Sequence, residues 1–138
     1  MLVISHRGNV KGADSTFENE PNHVLALLKR DIPVEIDVRL ENGIWRLGHD
    51  KPQYTVDLEY LKHPLLWCHA KNIEALEEMI VNNIHCFWHE EDDYTLTSKG
   101  IIWTYPGVFT TKNTVIVDTS KDWKTKQYAC KGVCVDYL

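Results

Sequence analysis

Val34-Glu35-Ile36-Asp37-Val38 alternates aliphatic and acidic side chains with the period of a β-strand. Glu35 and Asp37 fall on one face and the three aliphatics on the other. Taken alone, such a strand reads as half-exposed with a solvated acidic face. Its surroundings point elsewhere, because it follows a helical window in a pattern where both sheet faces are covered. Two carboxylates buried a few ångströms apart repel unless a cation bridges them or one takes a proton. All-oxygen ligands of this kind suit Mg²⁺ or Ca²⁺.

Outward from this strand, apolar runs recur along the chain at Leu2–Ser5, Pro33–Leu40, Ile44–Leu47, Leu65–His69, Ile84–His89, Ile101–Tyr105, Thr114–Val117 and Gly132–Val135. Two windows have helical spacing. Asn19–Arg30 carries Pro21 near its start and Val24, Leu25, Leu27 and Leu28 as an apolar stripe; Asn72–Asn82 repeats the pattern with Ile73, Leu76, Met79 and Ile80. Strand–helix–strand therefore occurs twice in the first two thirds, the order of an α/β fold with a parallel sheet. Asn42-Gly43 between two strand-like runs marks one hairpin. Beyond Glu90 helical windows almost vanish. Neither a linker nor a repeat divides the chain, so residues 1–138 read as a single domain.

The 138 residues are 43% hydrophobic and 25% charged, which excludes a disordered chain, a coiled coil and a collagen-like repeat. A formal net charge of -5 disfavours broad attraction to nucleic acid or an anionic membrane, while leaving room for one local anion pocket. No run is long enough for a membrane span, and Met1–Arg7 reads as a strand instead of a signal peptide. With that start, Cys68, Cys86, Cys130 and Cys134 are expected to be reduced and mostly buried in a cytoplasmic protein.

Two further clusters carry chemistry. His6-Arg7-Gly8 ends the first strand, at the carboxyl end where α/β folds place their sites. Arg offers phosphate a bidentate fork, His exchanges a proton near neutral pH, and Gly8 lets the backbone turn sharply. His49-Asp50 closes the second arm of the hairpin and returns His49 towards Glu35 and Asp37. As bare motifs both also fit ordinary surface turns.

In combination, these stretches resemble the glycerophosphodiester phosphodiesterase family, part of the phosphodiesterase barrels that include the phosphatidylinositol-specific phospholipases C. The matching text is His6-Arg7-Gly8, Glu18-Asn19, Glu35-Ile36-Asp37-Val38, the Asn42-Gly43 turn and His49-Asp50. Leu66–Lys71 is similar to the family's third strand and Gly132–Tyr137 to its last. The resemblance implies a TIM-type barrel hydrolysing a phosphodiester with a divalent metal. It implies general base and acid roles for His6 and His49, metal binding by Glu35 and Asp37, and phosphate binding by Arg7. Lys71 keeps the family's lysine and is expected on a phosphate oxygen.

The departures are specific. The family's third strand reads Glu-x-Lys, whereas this chain has His69-Ala70-Lys71. His69 either replaces the missing acid as a ligand, which would shift preference towards Mn²⁺ or Zn²⁺, or contacts substrate instead. A Thr expected after Glu18-Asn19 is Glu20. A full (β/α)₈ barrel takes ~250 residues, so the expected fold is a shortened TIM-type barrel with several helices missing. A second copy of the chain is a candidate to cover its open edges, making a homo-oligomer.

The expected function is therefore metal-dependent hydrolysis of a small soluble glycerophosphodiester-like molecule. A non-catalytic phosphate or sugar-phosphate binder on the same fold is the alternative. Glu18, Asn19 and His69 are further pocket candidates. His89 belongs with them because the run His89–Asp93 begins at a strand's carboxyl end, although such a charge run also reads as a solvated loop. Trp103 reads first as core and second as a substrate-facing aromatic.

Overall fold

The computed structural model describes Met1–Leu138. The chain forms a mixed α/β structure of ten strands and few helices. Strands β1 (Leu2–His6), β2 (Val34–Glu41), β5 (Leu66–Ala70), β6 (Cys86–Phe87), β8 (Ile102–Thr104), β9 (Thr114–Val117) and β10 (Gly132–Val135) are joined by parallel pairings in the order β6-β5-β2-β1-β10-β9-β8. Parallel pairing brings their carboxyl ends to one rim. β3 (Ile44–Leu47) returns antiparallel on β2 through the Asn42-Gly43 turn, where both residues have positive φ. β4 (Tyr54–Val56) then pairs with β3, and β7 (Tyr94–Leu96) pairs antiparallel with β8.

Helix α1 (Pro21–Leu28) joins β1 to β2, α2 (Leu58–Leu61) precedes β5, and α3 (Ile73–Val81) joins β5 to β6. Each has a side-chain N-cap: Glu20 accepts from Asn22 and His23, Asp57 from Tyr60, and Asn72 from Ala75. Their apolar stripes cover the outer faces of β2 and β5. Val34, Ile36 and Val38 pack there with Leu27, Leu61, Met79 and Cys68 in the main core. After β6 the only helical turn is a 3₁₀ segment, Trp123–Thr125, whose Trp123 lies over Ile116 and Val135.

The sheet is curled. Trp67 of β5 and Phe87 of β6 sit 5.8 and 4.5 Å, centroid to centroid, from Trp103 of β8, at the far end of the strand order. With Ile4, Val115, Val117 and Cys134 these rings fill a second core on the concave side. Backbone bonding also spans the gap, since Ser98 N–H donates to the Cys86 carbonyl at 2.8 Å and the Cys86 amide donates to Ser98 Oγ at 2.9 Å.

The expected strands recur within one or two residues, except that Ile84–His89 is extended as a strand only over Cys86–Phe87. β4, β7 and α2 were not foreseen; each is only three or four residues long. All four cysteines are free thiols, three of them buried. No helix is long and apolar enough to cross a membrane.

Candidate active site

Alternation along β2 turns Glu35 and Asp37 to the concave side, where they are 1% and 0% exposed. Register then supplies their neighbours. His6 on β1 pairs with Glu35, and His69 on β5 pairs with Asp37. The hairpin β2–β3 ends at Gly48, and its turn brings His49 Nδ1 to 3.3 Å from Asp37 Oδ1. Gly48 has φ 154°, and a Cβ there would stand 1.9 Å from the Lys51 carbonyl oxygen, so the turn requires glycine.

Asp37 is the electrostatic hub. Asn19 donates through Nδ2 to Asp37 Oδ2 and accepts from the Asp37 amide, both at 2.9 Å. Arg7 Nε is 3.3 Å from Oδ2, and Lys71 Nζ is 3.5 Å from Oδ1. Burial alone would raise this carboxyl, but His49, Lys71, His69 and Arg7 outweigh it and hold it well below the usual carboxylate range.

Asp136, immediately after β10, was not singled out in the sequence. Its Oδ1 accepts from His6 Nδ1 and Asn9 Nδ2, each at 2.8 Å. A carboxylate only accepts, so the proton of neutral His6 lies on Nδ1 and Nε2 is left free, 3.9 Å from Glu35 Oε2. Burial would lower the His6 pKa, yet the Asp136 bond and the Glu35 charge raise it above its ordinary value. Strand pairing brings them together: β10 pairs in register with β1, so the alternation that turns Ile4 and His6 inward also turns in Cys134 and Asp136.

His49 is held on both sides. Arg7 NH2 donates to His49 Nε2 at 3.2 Å, which puts the His49 proton on Nδ1, facing Asp37. Arg7 NH1 reaches Glu18 Oε2 at 3.3 Å, while its Nε–H is buried without a hydrogen-bond partner.

His69 Nδ1 lies 3.6 Å from Glu35 Oε1 and 3.7 Å from Asp37 Oδ1. Its Nε2 lies 2.9 Å from the His89 carbonyl oxygen, to which it donates in the Nε2-protonated tautomer, and 3.3 Å from the His89 amide, from which it accepts in the other. In the first tautomer Nδ1 presents a lone pair on the side of the two carboxylates, as a metal ligand would. Glu35, Asp37 and His69 each contribute one such atom, all within 4.8 Å of one another. Ligands roughly 3–4 Å apart are what one ion with bonds of about 2.0–2.3 Å gathers around itself. The bond from Nε2–H to a backbone carbonyl is the outer support metal-bound imidazoles use. The donor set thus fits a divalent cation, with His69 beside the expected pair.

Around these groups lies a cavity of about 80 Å³, lined by His6, Arg7, Glu35, His49, His69, Lys71, Trp103, Tyr105 and Val117. A second cavity of about 140 Å³ shares Arg7 and His49; its remaining walls are Ser15, Glu18, Asn19, Asp50, Lys51 and Gln53, with no hydrophobic residue. His89 does not line either cavity; its ring turns back to the Asp92 carbonyl and stacks on Tyr105, while its own carbonyl braces His69. Trp103 is both core and wall, being 2% exposed.

No protein-family model, curated protein or solved structure matches this chain.

Proposed function

We propose that this protein is a metal-dependent phosphodiester hydrolase acting on a small soluble glycerophosphodiester-like substrate, built on a shortened TIM-type barrel. The observation that carries this reading is one rim of parallel strands presenting, together, a three-ligand cation cluster, two histidines each turning Nδ1 to a carboxylate, and an arginine beside them. Strand order supports a shortened barrel: the parallel strands run β6-β5-β2-β1-β10-β9-β8, each beside its sequence neighbour except that β6 does not pair with β8, and β10 lies beside β1.

Glu35, Asp37 and His69 would hold the ion, with two carboxylates favouring Mg²⁺ or Ca²⁺ and the imidazole drawing preference towards Mn²⁺ or Zn²⁺. When bound, the cation supplies a Lewis acid beside the phosphate oxygens. The chain's own groups do the rest. Arg7 and Lys71 take the phosphate, and Arg7 in doing so leaves His49 Nε2, which is then open to carry a proton. His6 Nε2 removes the proton from a substrate hydroxyl next to the ester, and that oxygen attacks phosphorus. The bond to the leaving oxygen breaks as His49 gives it a proton, releasing the alcohol and a cyclic phosphate. Water opens the ring with the two histidines in exchanged roles. The polar walls of the larger cavity suit a hydroxylated group.

A second reading, a non-catalytic phosphate binder, draws support from Lys71 and Arg7 both resting on Asp37. One experiment separates the two. Turnover of bis(p-nitrophenyl) phosphate and glycerophosphocholine is measured with EDTA, Mg²⁺, Ca²⁺, Mn²⁺ or Zn²⁺, for the wild type, His6→Ala and Glu35→Ala. Metal-dependent turnover lost in both variants supports the hydrolase. Phosphate-ester binding by a folded protein with no turnover under any metal supports the binder.

A further inference from the structure

The crossings from β6 through β8 to β9 contain no helix, and the sheet's outer face is bare there. Pairing sets Tyr94 opposite Thr104 and Leu96 opposite Ile102, with Thr95 and Trp103 on the other face. Tyr94, Leu96 and Ile102 therefore point outward together. The β8–β9 connection adds Phe109, held by a 2.6 Å bond from Tyr94 Oη–H to the Phe109 carbonyl. Leu96 is 65% and Phe109 80% exposed, and between these side chains runs an open groove of about 490 Å³. An apolar patch of this kind on a sheet face with no cover marks an interaction surface.

Charge identifies the occupant. At the rim end of these strands stand Glu90, Glu91, Asp92 and Asp93, all exposed. At the opposite end stand Lys99 and Lys112, also exposed, whose turns are tied together by Asn113 Nδ2 donating to the Gly100 carbonyl at 2.7 Å. A nucleic acid would be repelled at one end and an anionic membrane likewise. A second copy, related by a twofold axis lying in the interface plane and perpendicular to the strands, faces the first with its strands reversed and sets each acidic end on its partner's basic end. The apolar centre is then enclosed by a complementary charged rim, the anatomy of protein interfaces. We infer that the protein forms a twofold dimer through the outer face of β7–β8 and the Phe109 loop. This inference is independent of the proposed reaction.

The test is sedimentation equilibrium on the full chain in low salt. Dimer is expected for the wild type, and Leu96→Glu and Phe109→Asp, both at exposed positions, should leave monomer with an unchanged circular dichroism spectrum. The double variant Lys99→Glu/Lys112→Glu should raise the dissociation constant about tenfold or more, and adding Glu91→Lys/Asp92→Lys should recover most of that loss. A wild type that stays monomeric at every concentration overturns the inference. So does a dimer indifferent to both apolar variants, or one that the second charge reversal fails to rescue.

Discussion

His6 Nδ1 and Asp136 Oδ1 stand 2.8 Å apart although 130 positions separate them in the chain. They meet because β1 and β10, the first and last strands, pair in parallel with Ser5 opposite Val135. The bond fixes the His6 tautomer and leaves Nε2 facing the cavity. The same pairing joins the first and last strands of the chain and completes its candidate base.

Removing the Asp136 charge while keeping its shape tests that link. His6 is held above its ordinary value of 6.5, so the free base dominates only at higher pH. In Asp136→Asn the acid limb of the rate profile should move to lower pH while kcat falls about 10²–10⁴-fold. Rate profiles for both proteins check this. A purely structural Asp136 would lower kcat without moving the limb.

Divalent cation should stabilise the fold through the Glu35, Asp37 and His69 cluster. At a hundredfold excess over the dissociation constant the gain is about 2.7 kcal/mol. Thermal melts with and without Mn²⁺ should show it in the wild type and lose most of it in Glu35→Gln and His69→Ala. Equal shifts in all three proteins would remove the cation from this cluster.

Asp118 governs acid stability away from the site. Burial would raise its pKa, but bonds from Lys126, Ser120 and Tyr128 hold it well below the ordinary 3.8. A depressed carboxyl stabilises the fold above its unfolded value and stops doing so as pH falls towards its folded value. Asp118→Ala should cost about 1–3 kcal/mol near neutrality and flatten the loss below pH about 4. Urea titrations across pH read both.

Gly48→Ala forces the turn that carries His49 to shift, since its Cβ would overlap the Lys51 carbonyl. Destabilisation of more than about 1 kcal/mol is expected. Turnover should fall further than stability, with cation-dependent stabilisation retained, because neither Gly48 nor His49 is among the three ligand side chains. Parallel melts and rate assays separate the two losses.

Much of this arrangement was legible in the sequence because period-two alternation acts locally. Glu35 and Asp37 inward, Val34, Ile36 and Val38 outward, and the Asn42-Gly43 turn all follow from neighbouring residues. His69 was named as an alternative ligand because a histidine occupied a position where an acid was expected. Asp136 was missed because its partner lies on the other end of the chain, and only strand pairing joins them. His89 stands just beyond β6, and its ring bends back to the Asp92 carbonyl of its own loop, a turn that residue order alone does not show. β4, α2 and β7 are too short to leave a periodic signal; the strands they rest on shape them.

The most direct test of the account is a ³¹P NMR time course on glycerophosphocholine with Mn²⁺, comparing wild type, His6→Asn and an EDTA control. The account predicts that the substrate resonance gives way to a cyclic phosphate or phosphomonoester in the wild type alone. An unchanged substrate signal from a folded, cation-loaded wild type would contradict it, as would turnover that survives His6→Asn or EDTA.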